Sequence, residues 1–150
     1  MMHSLEKILP QKPPMILLSR VVEHDLKERT LIAEVDISPE SVFFDYEIKG
    51  IPCYIGLEYM AQTVGCLLGI ENQKPPAIEL VLGTRNFEFS IQKFSVNYTY
   101  RISIKEQFVM EEMSSFNGEI SNDQNVICAR GDIKVYYRND LNELLRQENG

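Results

Sequence analysis

Residues 54 to 71, YIGLEYMAQTVGCLLGIE, form the most apolar stretch of the chain, yet they carry an acid, Glu58, one turn from their start. The spacing predicts a helix over about 54–71, ended by the polar residues and double proline of ENQKPP. On a helical wheel Leu57, Met60, Ala61, Val64, Leu67 and Leu68 follow the i, i+3, i+4, i+7 pattern of a core stripe. Glu58, Gln62, Gly65 and Gly69 share a second stripe. Each glycine inside a helix costs roughly 1 kcal/mol against alanine, a cost that close approach of another backbone offsets. The second stripe therefore offers an acid, an amide and room for something to lie alongside. The bland alternative is a solvated face on which Glu58 and Gln62 form an ordinary surface pair.

The remaining chain reads as β structure. Leu31, Ala33, Val35 and Ile37 repeat with a period of two, and so do Val96, Tyr98, Tyr100, Ile102 and Ile104. Further strands are predicted in MILLSRVVEHD, ELVLGTRNFEFSI, SSFNGEI and NVICARGDIKVYY, the last two separated by the turn SNDQ. HSLEKIL reads as a short helix stopped by Pro10 and by Pro13–Pro14. SVFFDYEIKGIP reads as irregular, and NDLNELLRQENG as a short polar helix. One long apolar helix among five or six antiparallel strands is an α+β domain. A curved antiparallel sheet wrapped round that helix is the hot-dog fold. No linker or repeat divides residues 1–150, so a single domain is expected, with 138–150 as a C-terminal tail.

A net charge of −7 argues against nucleic-acid binding, which needs basic surface to neutralise phosphates. No uninterrupted apolar run approaches the ~18 residues of a membrane span, and MMHSLEKILPQKPP has no secretory apolar core. Three cysteines without metal-type spacing read as free thiols of a cytoplasmic protein. Two histidines, His3 and His24, leave no ordinary metal site.

PCYIGLEYMAQTVG, with LPQKPPMILLSRVV upstream and LVLGTRNFEF downstream, resembles the hot-dog 3-hydroxyacyl-ACP dehydratases. KPPM, LEYMAQ and LGTR in this order are most similar to the ApeP-type dehydratases of bacterial aryl polyene gene clusters, over residues 9 to 137. The resemblance implies a homodimer with active sites at the subunit interface. The substrate would be an acyl chain on the phosphopantetheine arm of an acyl carrier protein, with no metal and no other cofactor. The implied reaction removes water from a 3-hydroxyacyl thioester to give the trans-2-enoyl thioester. It needs proton transfer at C2 and at the hydroxyl, and donors for the thioester carbonyl. On the family pattern Glu58 is the carboxylate, and Gln62 and Gly65 belong to the wall of the substrate tunnel. Backbone N–H groups near Ile55, Gly56 and Gly83 would serve the carbonyl.

The chain also departs from that pattern. Fourteen residues before Glu58, where the fatty-acid dehydratases carry histidine, stands Phe44; Gln11 and Ser19 replace another histidine and an aspartate. Asp45 is the candidate for the second catalytic group, against its plainer reading as a turn residue. Arg85 is a candidate partner for a carboxylate or phosphate, and ordinary strand-face arginine otherwise. Lys12, Arg20, Arg85 and Lys93 are candidates for carrier docking. A non-catalytic or partner-dependent acyl-binding subunit, and an acyl thioesterase, are the competing functions.

Overall fold

The computed structural model describes residues 4–75, 79–111 and 113–137, with backbone only at 79–85 and 137. Among the described residues two α-helices and eight strands follow in the order α1 (Leu5–Ile8), β1 (Arg20–Asp25), β2 (Thr30–Asp36), β3 (Gly50–Pro52), α2 (Gly56–Asn72), β4 (Glu79–Phe89), β5 (Lys93–Ser95), β6 (Thr99–Met110), β7 (Met113–Ser121) and β8 (Ile127–Tyr137). Six strands form one antiparallel sheet in the order β1-β2-β6-β7-β8-β4, and β3 pairs with β5 in a small second sheet. The predicted tail helix and His3 lie outside the described residues.

Register explains how the sheet makes a core. Ala33 faces Ile102, Ile102 faces Ile120, and Ile120 faces Ala129, an apolar row across four strands. All four are buried, because the period of two turns alternate side chains to one face. The neighbouring row runs Leu31, Ile104, Gly118, Gly131. At Gly118 a side chain would meet the Sδ of Met60 at 2.8 Å, so the sheet gives way where the helix packs deepest.

Helix α2 lies against β2, β6, β7 and β8. Met60, Val64 and Leu67 have no exposed surface, and each such burial contributes roughly 1.5–3 kcal/mol. Helix α1 covers part of the remainder, with the carbonyl of Ile8 lying where a Gly69 side chain would stand. A close backbone approach thus accounts for Gly69, as the second stripe anticipates. At the far end of α2, Glu71 pairs with Arg29 of the β1–β2 turn, whose Nε also reaches Glu106 of β6 at 3.1 Å.

Several expectations need correction. Leu57 and Ala61 are only half-buried, whereas Tyr59, Thr63 and Cys66 are fully covered; wrapping from more than one side rotates the core away from the simple wheel. The strand expected from Val96 begins at Thr99, because Asn97 adopts positive φ in a turn and Tyr98 is exposed. Met15–Ser19 stay out of β1, since Leu17 N–H and Met15 C=O bond to a side chain rather than to a ladder. By length and composition Cys53–Asn72 is apolar enough to cross a membrane, contrary to the reading of uninterrupted runs. Its apolar character is that of a helix enclosed by a sheet.

Gly69→Ala is expected to lower stability by about 3 kcal/mol, because the Ile8 backbone is fixed by its own packing. Gly118→Ala meets only the flexible end of Met60 and should cost less than about 1 kcal/mol. Urea midpoints of the two variants check the contrast.

Candidate active site

The site is built around the first turns of α2. A 3-10 turn, Cys53–Ile55, leads directly into the helix. Cys53 N–H donates to Gln92 C=O at 3.1 Å, and Gly56 N–H donates to the carbonyls of Cys53 and Tyr54. The Gly56 N–H, expected to serve a substrate carbonyl, is therefore occupied by the chain itself. Its small size answers to packing: a side chain there would meet Phe94 at 3.1 Å and Ile120 at 3.2 Å. Ile55 is buried in the core cluster.

Glu58 is half-buried on the next turn, and its Oε1 accepts a hydrogen bond from Gln62 Nε2 at 3.1 Å. Gln62 is 1% exposed. Its Nε2 also donates to Met15 C=O at 2.9 Å, and its Oε1 accepts from Leu17 N–H at 2.9 Å. The segment Met15–Leu17 is thus a strap laid along the Glu58–Gln62 stripe. The room that the stripe offers is filled by the N-terminal part of the same chain. The strap follows a cis peptide between Pro13 and Pro14.

Asp45 stands apart from this network. Its Oδ1 accepts the Glu47 N–H at 2.8 Å, an Asx turn, and its backbone bridges to Gly50. Among the described residues no hydrogen bond or ion pair joins it to Glu58. Phe44, which the resemblance sets where related dehydratases would carry histidine, packs against the core and makes an edge contact with Tyr46, centroids 5.0 Å apart. His24 is exposed on β1.

Beside the strap opens a cavity of about 280 Å³, lined among others by Ile16, Leu18, Val35, Val42, Phe43 and Tyr59. Its lining lacks Glu58, which belongs to the adjoining part of the helix. Burial, with Tyr100 alongside, raises the Tyr59 phenol well above its ordinary range and keeps it protonated. Met15, Val42, Phe43 and Tyr54, all bordering the strap, the cavity or the helix start, are exposed apolar side chains. Gly65 is buried in mid-helix, and Gly83 lies in β4 opposite Lys134, next to a register irregularity. Lys93 Nζ donates to Ile48 C=O at 2.5 Å, while Arg20 pairs with Glu34 and Asp36. Among the described residues no group of three His, Cys, Asp or Glu is placed to hold a metal.

The residues that sequence reasoning missed are those of the strap. The available signal was the double proline immediately ahead of Met15, two residues with no N–H to give to a ladder.

Comparisons place this arrangement among known proteins. A family model described as ApeP-like, ApeP dehydratase, matches residues 3–146. The 3-hydroxyacyl-[acyl-carrier-protein] dehydratase FabZ of Chlamydia trachomatis serovar D is 32% identical over 92 residues, 58% of this chain and 60% of that protein. The corresponding protein of Chlamydia pneumoniae is 29% identical over 93 residues, 59% and 61% of the two chains. The chain thus spans about three fifths of the length of these relatives. Among solved structures, a chain of the dehydratase heterocomplex ApeI:P from Xenorhabdus doucetiae is 25% identical, with a TM-score of 0.84 and 97% of each chain covered. The PaaI protein of E. coli, 9% identical with a TM-score of 0.61 over 79% of this chain and 81% of that one, shares the hot-dog fold alone. With its sheet wrapped round a motif-bearing helix and a family model spanning nearly its whole length, the chain belongs to the ApeP-like dehydratase family.

Proposed function

We propose that the protein dehydrates a 3-hydroxyacyl thioester carried by an acyl carrier protein, with Glu58 as the acid/base group. The observation carrying this reading is a half-buried carboxylate, oriented by Gln62 on the first turns of the wrapped helix, within the family motif. The elimination breaks the C2–H and C3–O bonds, forms the C2–C3 double bond and releases water. The proton lost at C2 equals the proton needed by the leaving hydroxyl, so the balance requires no redox partner. A positioned carboxylate supplies about 100- to 10,000-fold in such proton transfers. The Asx turn engages Asp45 with its own loop, and we leave it without a proton-transfer step.

A second reading concerns the partner. Phe44 replaces the family histidine, and the cavity of one chain is at the small end for an acyl site. The exposed apolar side chains Met15, Val42, Phe43 and Tyr54 suit cover by a second hot-dog subunit. That subunit is either another copy of this chain or a histidine-bearing relative. The similar solved structure is named as a heterocomplex, which favours a different subunit over a second copy of this chain.

Glu58→Gln is expected to lower the rate of enoyl-carrier formation from 3-hydroxyacyl-carrier by at least about 100-fold while leaving the fold intact. Product analysis by mass spectrometry checks it, and free acid as the product would point to thioester hydrolysis instead. Asp45→Asn, which keeps the acceptor of the turn, should retain wild-type turnover. Asp45→Ala should lose about 1 kcal/mol of stability, read by thermal melting.

A further inference from the structure

We propose that residues 138–150, which follow β8, fold back as a short amphipathic helix and lay Leu141, Leu144 and Leu145 on the outer face of the sheet, at the end formed by the β6–β7 hairpin. The contact stands apart from the catalytic reading and does not depend on it.

The sheet face turned away from α2 is polar over most of β6, β7 and β8. One row across these strands reads Ser103, Glu119, Arg130, and the next reads Lys105, Asn117, Asp132. The pattern breaks at the hairpin. Gln107 is an extra residue between the pairs Glu106–Phe116 and Phe108–Ser115, and such a bulge swaps the faces of the residues beyond it. Phe108 and Met110 thereby join the face of Lys105, where an unbroken strand would have turned them inward. The last row is Met110, Met113, Tyr136. Phe108 is 46% exposed and Met110 60%, while Met113 and Tyr136 are half-buried. An apolar row on an otherwise charged face marks a surface built to be covered.

The segment after β8 fits that row in position, pattern and length. β8 runs to Tyr137, one residue beyond the row's own Tyr136, so residue 138 starts beside the patch. Leu141, Leu144 and Leu145 stand at i, i+3 and i+4, with Asn142, Glu143, Arg146 and Gln147 on the remaining sides. Asp140 is a favourable N-cap, Glu143 an acid for the first turn, and Asn149–Gly150 a stop signal. A helix over 140–149 rises about 15 Å. The row from Tyr136 to Met110 spans two strand spacings, roughly 10 Å, so the helix is long enough to cross it. A helix this short is marginal in water, and an apolar surface within reach supplies what it lacks. Tethered beside its target, the segment meets the patch at an effective concentration on the order of millimolar, which favours it over a second copy of the chain.

The test uses the full chain with 13C-labelled methionine methyl groups, Met110 and Met113 being assigned by Met110→Leu and Met113→Leu. Wild type is compared with a chain lacking residues 138–150 and with the triple variant Leu141→Ser, Leu144→Ser, Leu145→Ser, which keeps the length. In both, the Met110 and Met113 signals are expected to move and to broaden more under a soluble paramagnetic agent. Met60, enclosed between helix and sheet, should keep its signal and so reports an intact fold. The thermal midpoint should fall by about 5 °C. Phe108→Ser combined with the triple variant should lose no more than the larger of the two separate losses, because both remove one contact. Unmoved Met110 and Met113 signals in the triple variant, or strictly additive losses, would overturn the proposal. Signals that shift when wild type is diluted, and not when the leucines are replaced, would overturn it in favour of a second copy on the same row. Should the shortened chain not fold, the triple variant alone decides.

Discussion

Helix α2 has almost no face that it can show to water, and the rest of the chain is arranged by that constraint. An isolated sheet covers one side of a helix. Here six strands curve far enough that β2, β6, β7 and β8 all reach α2. The side they leave open is closed by α1 over Gly69 and by the strap over Gln62. The cost of the helical glycine is offset by the backbone contact it allows, and a buried amide is tolerated because the strap satisfies it.

The Glu58–Gln62 pair, where we propose the chemistry, sits at the seam between these two kinds of cover. Sheet cover is apolar and leaves nothing reactive beneath it. Strap cover is polar, since it presents backbone N–H and C=O groups that need partners. Gln62 meets that need and passes its last hydrogen to Glu58. A carboxylate at the same height on a sheet-covered face would be an unpaired buried charge. Placed here it is oriented, half-open and next to a cavity, the combination that proton transfer to an acyl chain requires.

Much of this was legible in the sequence where a single periodicity decides the outcome. Leu31, Ala33, Val35 and Ile37 form one buried face, and Tyr100, Ile102 and Ile104 alternate inward. The helix was legible too, because its apolar stretch and the stop signal of ENQKPP agree with an end at Asn72. The strap was not: MILL has the composition of a strand, and only the partner across 45 residues, Gln62, shows why Leu17 leaves the ladder. Nor did the sequence reveal that Gly56 N–H is engaged, since that depends on a 3-10 turn continuing into the helix. The pairing of β3 with β5 also escaped notice, as strands of three residues carry no period to read.

Glu58 as the group that handles the substrate proton is the central claim, and a bound substrate tests it most directly. A crystal structure with a non-reactive 3-hydroxyacyl pantetheine analogue, grown with whatever subunit completes the site, would place the reacting carbons. The account predicts Glu58 Oε2 about 3 Å from the C3 hydroxyl or from C2, with Oε1 still on Gln62. A ligand whose C2 and C3 lie beyond reach of Glu58, with the carboxylate turned to solvent, would contradict it.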